Sequence, residues 1–239
     1  MKKLLLLSAL FGLVFAAAPG PAAAESSLSG RKVLLVTMMS NKFKPTDDRI
    51  RKHLEDMGLV VTMIDQAEPA SKAEGQDFVI ISSVIAAKVV QGKYRDVPVP
   101  VMTWESNILN HMGMTGMHQY VDFDEDTKDE STYIWLGNAP HPLQAGLPNG
   151  LLNPFKKTQK ILEWGRPGIG ASIIATIPGE FNKACIFGYE KGALMDYDFP
   201  APARRVMFFM FDDGFDYLND NGMKLFDAAV RWTAGAPRG

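Results

Sequence analysis

Apolar residues fall into compact runs in the first half of the chain, separated by stretches that are polar or helically spaced. Val33-Leu34-Leu35-Val36 is uninterrupted, the pattern of a strand covered on both faces. Thr46, after Pro45, stands as a helix N-cap, and Asp47 and Asp48 fall in the first turn, where the helix dipole favours anions. Ile50, Leu54 and Met57 follow at helical spacing, and Gly58 occupies the C′ position. Residues 60–64 predict a second strand, and the segment to Gly75 a weak helix or loop. Phe78-Val79-Ile80-Ile81 is a third strand, ending at Ser82-Ser83. Residues 84–91 predict a short helix, Pro98 and Pro100 bound a loop, and residues 99–104 form a fourth strand. Apolar strands alternating with short helical stretches imply parallel βαβ units with right-handed crossovers.

The rhythm then changes. Residues 133–136, 171–177, 184–189 and 205–211 are strand-like, with turn residues and little helix between them, and predict mixed or antiparallel strands extending one edge of the sheet. The chain closes on residues 218–234, where Met223, Leu225, Phe226, Ala229, Val230 and Trp232 mark an amphipathic helix. The expected fold class is α/β, a flavodoxin-like three-layer sandwich with a mainly parallel sheet in its first half and mixed strands in its second. No internal repeat or linker divides it, so residues 32–236 are expected to form one domain.

The N-terminus changes the setting. Lys2 and Lys3 precede an almost wholly apolar stretch, residues 4–18, and Ala22-Ala23-Ala24 offers small residues for cleavage before Glu25. The apolar run is shorter than the ~20 residues a membrane span needs. Residues 1–24 therefore read as a signal peptide, residues 25–31 as a short polar tail, and the mature chain as secreted, periplasmic or extracellular, with no membrane span. Cleavage leaves 215 of 239 residues; Lys2 and Lys3 are the only charges lost, so the formal charge moves from −2 to −4. A mildly acidic chain without a basic cluster is a poor nucleic-acid partner. The single Cys185 excludes an internal disulfide, so the core must hold the protein together.

Four stretches resemble the class I glutamine amidotransferase-like superfamily, and within it the ThuA-like, trehalose-utilisation branch. They are Lys32-Val33-Leu34-Leu35-Val36, residues 99–105 ending in Trp104-Glu105, Asn138-Ala139-Pro140-His141-Pro142-Leu143-Gln144-Ala145-Gly146-Leu147, and Ala201-Pro202-Ala203-Arg204-Arg205-Val206 running on to the closing helix. The resemblance implies the fold, and a setting among secreted bacterial proteins in carbohydrate-related contexts. Catalytic members place a Cys on a Gly-flanked elbow after the third parallel strand, with a His and a Glu two residues apart. Here the elbow falls at Ile81-Ser82-Ser83-Val84, with neither Cys nor flanking Gly, and of His53, His111, His118 and His141 only His53 has Glu two positions on, at Glu55 in the helically spaced stretch ahead of that elbow. The resemblance therefore implies a domain without glutamine hydrolysis.

Open α/β sheets bind ligands at the carboxyl ends of their strands, near a topological switch point. Residues 38–41 including Asn41, Asp65, Ser82, Ser83, Trp104 and Glu105 should converge there, with Glu190 as a further candidate. An aromatic plane beside a carboxylate and hydroxyls suits a glycan or other polyol; Trp104 as core and Ser82 as a helix cap is the plainer alternative. A small molecule, glycan or protein partner is expected at that edge, with the oligomeric state open. A second possibility is a hydrolase with Ser82 or Ser83 as nucleophile, His141 as base, and Glu105 or Glu190 as orienter, although no Gly-x-Ser-x-Gly elbow is present.

Asp122, Asp124 and Asp126 match the first three ligand spacings of a calcium loop, but Thr127 and Tyr133 break the rest, so a solvated acidic loop is expected. Met112, Met114 and Met117 with His111 and His118 raise a Cu(I) possibility against the commoner use of methionine as core filler. Thr37-Met38-Met39-Ser40-Asn41 has no glycine, so no nucleotide, dinucleotide or flavin cofactor is expected. Glu190 and Arg204 or Arg205 are placed to form an ion pair.

Overall fold

The computed structural model describes residues 28–127, 132–159 and 161–235; the expected signal peptide lies outside them. Within these residues eleven strands form one sheet: β1 (Lys32–Thr37), β2 (Val60–Asp65), β3 (Phe78–Ile81), β4 (Val101–Thr103), β5 (Phe123–Asp126), β6 (Ile134–Leu136), β7 (Gly150–Leu152), β8 (Leu162–Gly165), β9 (Ser172–Ile177), β10 (Glu180–Tyr189) and β11 (Arg205–Met207). Among the described residues three α-helices accompany them: α1 (Lys44–Asp56), α2 (Ala87–Val90) and α3 (Asp220–Thr233). The α/β sandwich expected from the apolar pattern is present.

The strand order is β2-β1-β3-β4-β11-β10-β9-β6-β7, parallel from β2 to β11 and antiparallel beyond. Both faces of the parallel part are covered, which is why β1 and β3 read as unbroken apolar runs. Val33, Leu35, Ile80 and Met102 pack toward α1 and α3, through Ile50, Leu54, Leu225 and Phe226. Leu34, Val36, Val79 and Ile81 face the opposite layer, whose cover is the short α2 and 3-10 turns. Leu28, assigned by sequence to the polar tail, is buried, so the packed body begins before β1.

The remaining strands explain the site. Ala184 in β10 pairs with Thr176 of β9 on one side and with Gly165 of β8 on the other. The β8 side is the one β11 occupies up to Met207, opposite Phe187. Where β11 ends, β8 takes its place, and β5 pairs outside β8. A two-stranded ribbon thus extends past the carboxyl ends of β4 and β11.

Some boundaries differ from the sequence-based expectation. Helix α1 starts at Lys44 after Phe43, so Thr46 lies inside it and donates its hydroxyl to Asp216 Oδ2 at 2.8 Å. Asn41 organises the approach instead, accepting the Phe43 amide at 2.9 Å. The run at Asp122, Asp124 and Asp126, expected as a solvated calcium-like loop, is mostly strand β5. Alternate positions of a strand share a face but stand about 7 Å apart, so Asp124 and Asp126 do not wrap one ion as neighbouring ligands of a loop do. Among the described residues no helix is long and apolar enough to cross a membrane.

Candidate functional site

The register aligns Val36 with Ile81, and Ile81 and Met207 with Thr103, so the residues that follow these strands share one carboxyl edge. Between β1 and β3, where the strand order reverses, the edge is tied shut. Asp47 is buried and receives the hydroxyls of Thr37 and of Ser82, the latter at 2.8 Å. Burial pushes its carboxyl up to about 6 against the lowering effect of those bonds. Asn41 Nδ2 donates to the Val84 carbonyl at 2.8 Å across the same gap. Ser82 is therefore a bridge in the frame. It does not cap α2, whose N-cap is Ala86. Ser83 accepts the Asp212 amide at 2.7 Å.

Trp104 is fully buried and meets Phe226 edge-on, with ring centroids 6.1 Å apart, so it is core and offers no stacking surface. Two other expected site residues lie at the opposite edge. Glu190 follows β10 and accepts from Arg204 Nε at 2.7 Å, the ion pair the sequence suggested. His141 lies beside Trp232 in the last turn of α3, with ring centroids 5.8 Å apart, and its Nδ1 accepts the Leu143 amide. Arg204 donates to the Trp232 carbonyl from the amino end of β11, which fixes that corner to the amino edge. A Ser82–His141 or Ser83–His141 pair does not assemble, because the length of the sheet separates its members. The methionine–histidine segment is also divided: Met112 and Met114 are sealed in the core, whereas His111, Met117 and His118 are exposed. Cys185 is fully buried in β10, where burial pushes its thiol far up and keeps it inert.

Glu105 does belong to the carboxyl edge, with company the sequence did not reveal. Its Oε1 accepts the Asn107 amide at 2.9 Å, while Glu163 Oε2 accepts the neighbouring Ser106 amide at 3.0 Å. Adjacent amides thus bring the two carboxyl groups side by side. Glu125 in β5 is the direct cross-strand partner of Glu163, and such partners share a face with Cβ atoms about 5 Å apart. Asp212, after β11, completes the group. Burial, reinforced by the charges of Glu125 and Asp212, pushes Glu105 up to about 7. Glu163 is raised well above the usual carboxylate range by burial and then by Glu105. Asp212 is pushed up to about 6 by burial, then by Asp213, Glu125 and Asp47, with Lys42 opposing. A glutamate inside the apolar run Leu162-Glu163-Trp164 was the signal available in the sequence.

Beside this group a cleft of about 280 Å³ opens between the segment after β7 and the segment after β11. Phe155, Phe211 and Tyr217 supply rings, and Lys157, Gln159 and Asp213 supply polar groups. Phe155 is braced edge-on by Phe209 at 5.5 Å. Lys157 Nζ stands 3.7 Å above the centre of the Tyr217 ring. The Lys156 amide donates to the Tyr217 carbonyl at 2.7 Å and the Asn219 amide to the Pro154 carbonyl at 2.9 Å, so the two walls are joined at the back.

Solved structures share this architecture. A protein from Thermoplasma acidophilum assigned as a GMP synthase component superposes with a TM-score of 0.53 at 13% identity, over 86% of this chain and 95% of that one. The chain has a glutamine amidotransferase-like fold. A ThuA-like protein from Parabacteroides merdae superposes with a TM-score of 0.50 at 9% identity, over 87% and 91%. No family model and no curated protein matches the sequence. At these identities the likeness shows the fold alone. On this glutamine amidotransferase-like frame, Ser82 and Ser83 occupy the turn after β3, and both hydroxyls are engaged with the frame itself.

Proposed function

We propose that the chain is an exported, non-enzymatic ThuA-like domain that binds a small polyol or glycan at the carboxyl edge of its sheet. The observation that carries this reading is the aromatic cleft lined by Phe155, Phe211 and Tyr217, with Asp213, Gln159 and Lys157 at its rim. The half-buried rings of Phe211 and Tyr217, over a floor of buried Phe155, offer apolar surface to the C–H groups of a sugar, and a carboxylate, an amide and an ammonium supply directional bonds to its hydroxyls. At about 280 Å³ the cleft suits a ligand of one or two sugar rings, near the lower bound of small-molecule sites. The likeness to a ThuA-like structure supports the choice of branch, and residues 1–24 support export.

A glycan array probed with the mature chain tests the binding claim. Specific signals should appear and should fall at least tenfold in Tyr217→Ala and in Asp213→Asn, with Glu190→Gln at the opposite edge unchanged. Silence across the array, or signals indifferent to both cleft variants, would refute it. Export is tested separately by expressing the full chain in a bacterium with a periplasm and sequencing the product's N-terminus. A start at Glu25 outside the cytoplasm is expected, and an uncleaved cytoplasmic product would remove that part of the reading.

A further inference from the structure

We infer that the buried carboxyl group formed by Glu105, Glu163, Glu125 and Asp212 is a binding site for the primary ammonium group of a small molecule. Four carboxyls from four separate segments lie within reach of one another's charge at the carboxyl edge: the turn after β4, strand β8, strand β5 and the loop after β11. None of them forms an ion pair within 4 Å among the described residues. Lys42 is a cation acting on Asp212, while Asp124, Asp213 and Asp47 add further negative charge around the group.

Independently of that charge, the site contains polar atoms with nothing to bond. Glu163 is completely buried, and its Oε1, on the carboxyl that Glu105 and Glu125 act upon, has no hydrogen-bond partner. Ser106 Oγ, on the residue whose amide holds the other oxygen of Glu163, is also fully buried and unpartnered. Orphaned buried acceptors are rare because each costs the full desolvation of the group. Donors arriving with a ligand would satisfy them.

The chemistry favours an ammonium over a metal ion. No three acidic or histidine side chains among the described residues converge closely enough to hold a metal. An ammonium offers three N–H donors to acceptors about 2.8 Å away, a looser requirement than the ~2.0–2.6 Å coordination shell of a divalent ion. Half-buried Asp212 and Glu125 lie on the solvent side of the group, with Glu105 and Glu163 deeper. A cation entering a cluster that holds protons must expel them, so binding should strengthen as pH rises. With Glu105 titrating at about 7, affinity should grow about tenfold from pH 6 to pH 8.

The test is a thermal-shift titration of the mature chain with ethanolamine hydrochloride, which is cationic throughout that range. Ethylene glycol, sodium chloride at matched ionic strength, and calcium chloride serve as controls. The expected result is a saturable rise in melting temperature with ethanolamine, stronger at pH 8 than at pH 6. It should weaken about tenfold in both Glu105→Gln and Glu163→Gln, variants that keep side-chain shape; circular dichroism checks that they fold. An equal response to ethylene glycol, a response retained in both variants, no response at all, or a larger saturable shift with calcium would each overturn the inference. The Tyr217→Ala variant separates this site from the aromatic cleft, since it should leave the ethanolamine response intact.

Discussion

Replacing Glu105 with glutamine should make the protein more stable above neutral pH, an unusual outcome for a change at a buried hydrogen-bonded side chain. The carboxyl titrates ordinarily at 4.5 and in the folded chain at about 7, because burial penalises its charged form. Between those values the native state holds a proton that the unfolded chain has released. Stability from this group is therefore fully present below pH 4.5 and is lost as pH rises through 7. At about 1.4 kcal/mol per pH unit, the loss comes to roughly 3 kcal/mol. A glutamine side chain imitates the protonated acid, and its carbonyl can still accept the Asn107 amide. Urea denaturation at half-unit steps from pH 4.5 to 8.5 reads the effect. Wild type and variant should nearly coincide at pH 4.5 and diverge upward, the variant leading by roughly 3 kcal/mol at pH 8. Some slope should remain, since Glu163 is raised in the same direction, and Glu105→Gln with Glu163→Gln should flatten it further. Parallel curves, or a variant weaker at pH 8, would show that the carboxyl is not held protonated by its surroundings.

Two further substitutions probe the frame. Arg205 is completely buried at the amino edge, and its two terminal nitrogens donate to the carbonyls of Arg95, Val97, Val99, Ala203 and Arg204 at 2.8–3.2 Å. Arg205→Leu strands those acceptors and should cost roughly 3 kcal/mol or more in urea unfolding, with Arg205→Lys in between because an ammonium has three donors; a loss below about 1 kcal/mol would refute this role. Gly222 sits in α3, where Ala would ordinarily gain about 1 kcal/mol, but a Cβ there would collide with the Pro154 carbonyl oxygen. Gly222→Ala should therefore destabilise by about 1–3 kcal/mol and weaken cleft binding by shifting the wall that holds Phe155. A stabilised variant would mean that the loop yields freely.

The parts of the fold that were legible in the sequence are those whose burial is two-sided or strictly periodic. Val33 to Val36 and Phe78 to Ile81 are covered on both faces and announced themselves as apolar runs. Helix α3 did so through a stripe that packs into the core. Strands β5 and β8 were not legible. Each has four residues, and each carries acidic side chains, so Phe123-Asp124-Glu125-Asp126 read as a solvated loop. Glu105 was identifiable because it follows a recognisable strand. Its partners were not, since their meeting depends on β8 taking the place beside β10 that β11 vacates. That is a long-range pairing with no local signature. Tyr217 was hidden for a similar reason, because its partners in the cleft come from the irregular segment after β7.

The location of these features follows from what has happened at the switch point. An open α/β sheet leaves a crevice where its strand order reverses, here between β1 and β3, and ligands ordinarily enter it. In this chain Asp47 joins Thr37 to Ser82 across that crevice, and Asn41 joins the next turn to the Val84 carbonyl. With the crevice closed by side chains from its own rim, the accessible polar chemistry lies over β4 and β11 instead. There the ribbon of β5 and β8 supplies Glu125 and Glu163, and the segment after β11 supplies Asp212, Asp213 and Tyr217. Opening the crevice should then create no binding: Asn41→Ala should lower stability without altering the response to glycans or to ethanolamine. A gain or loss of either response in that variant would return the site to the switch point.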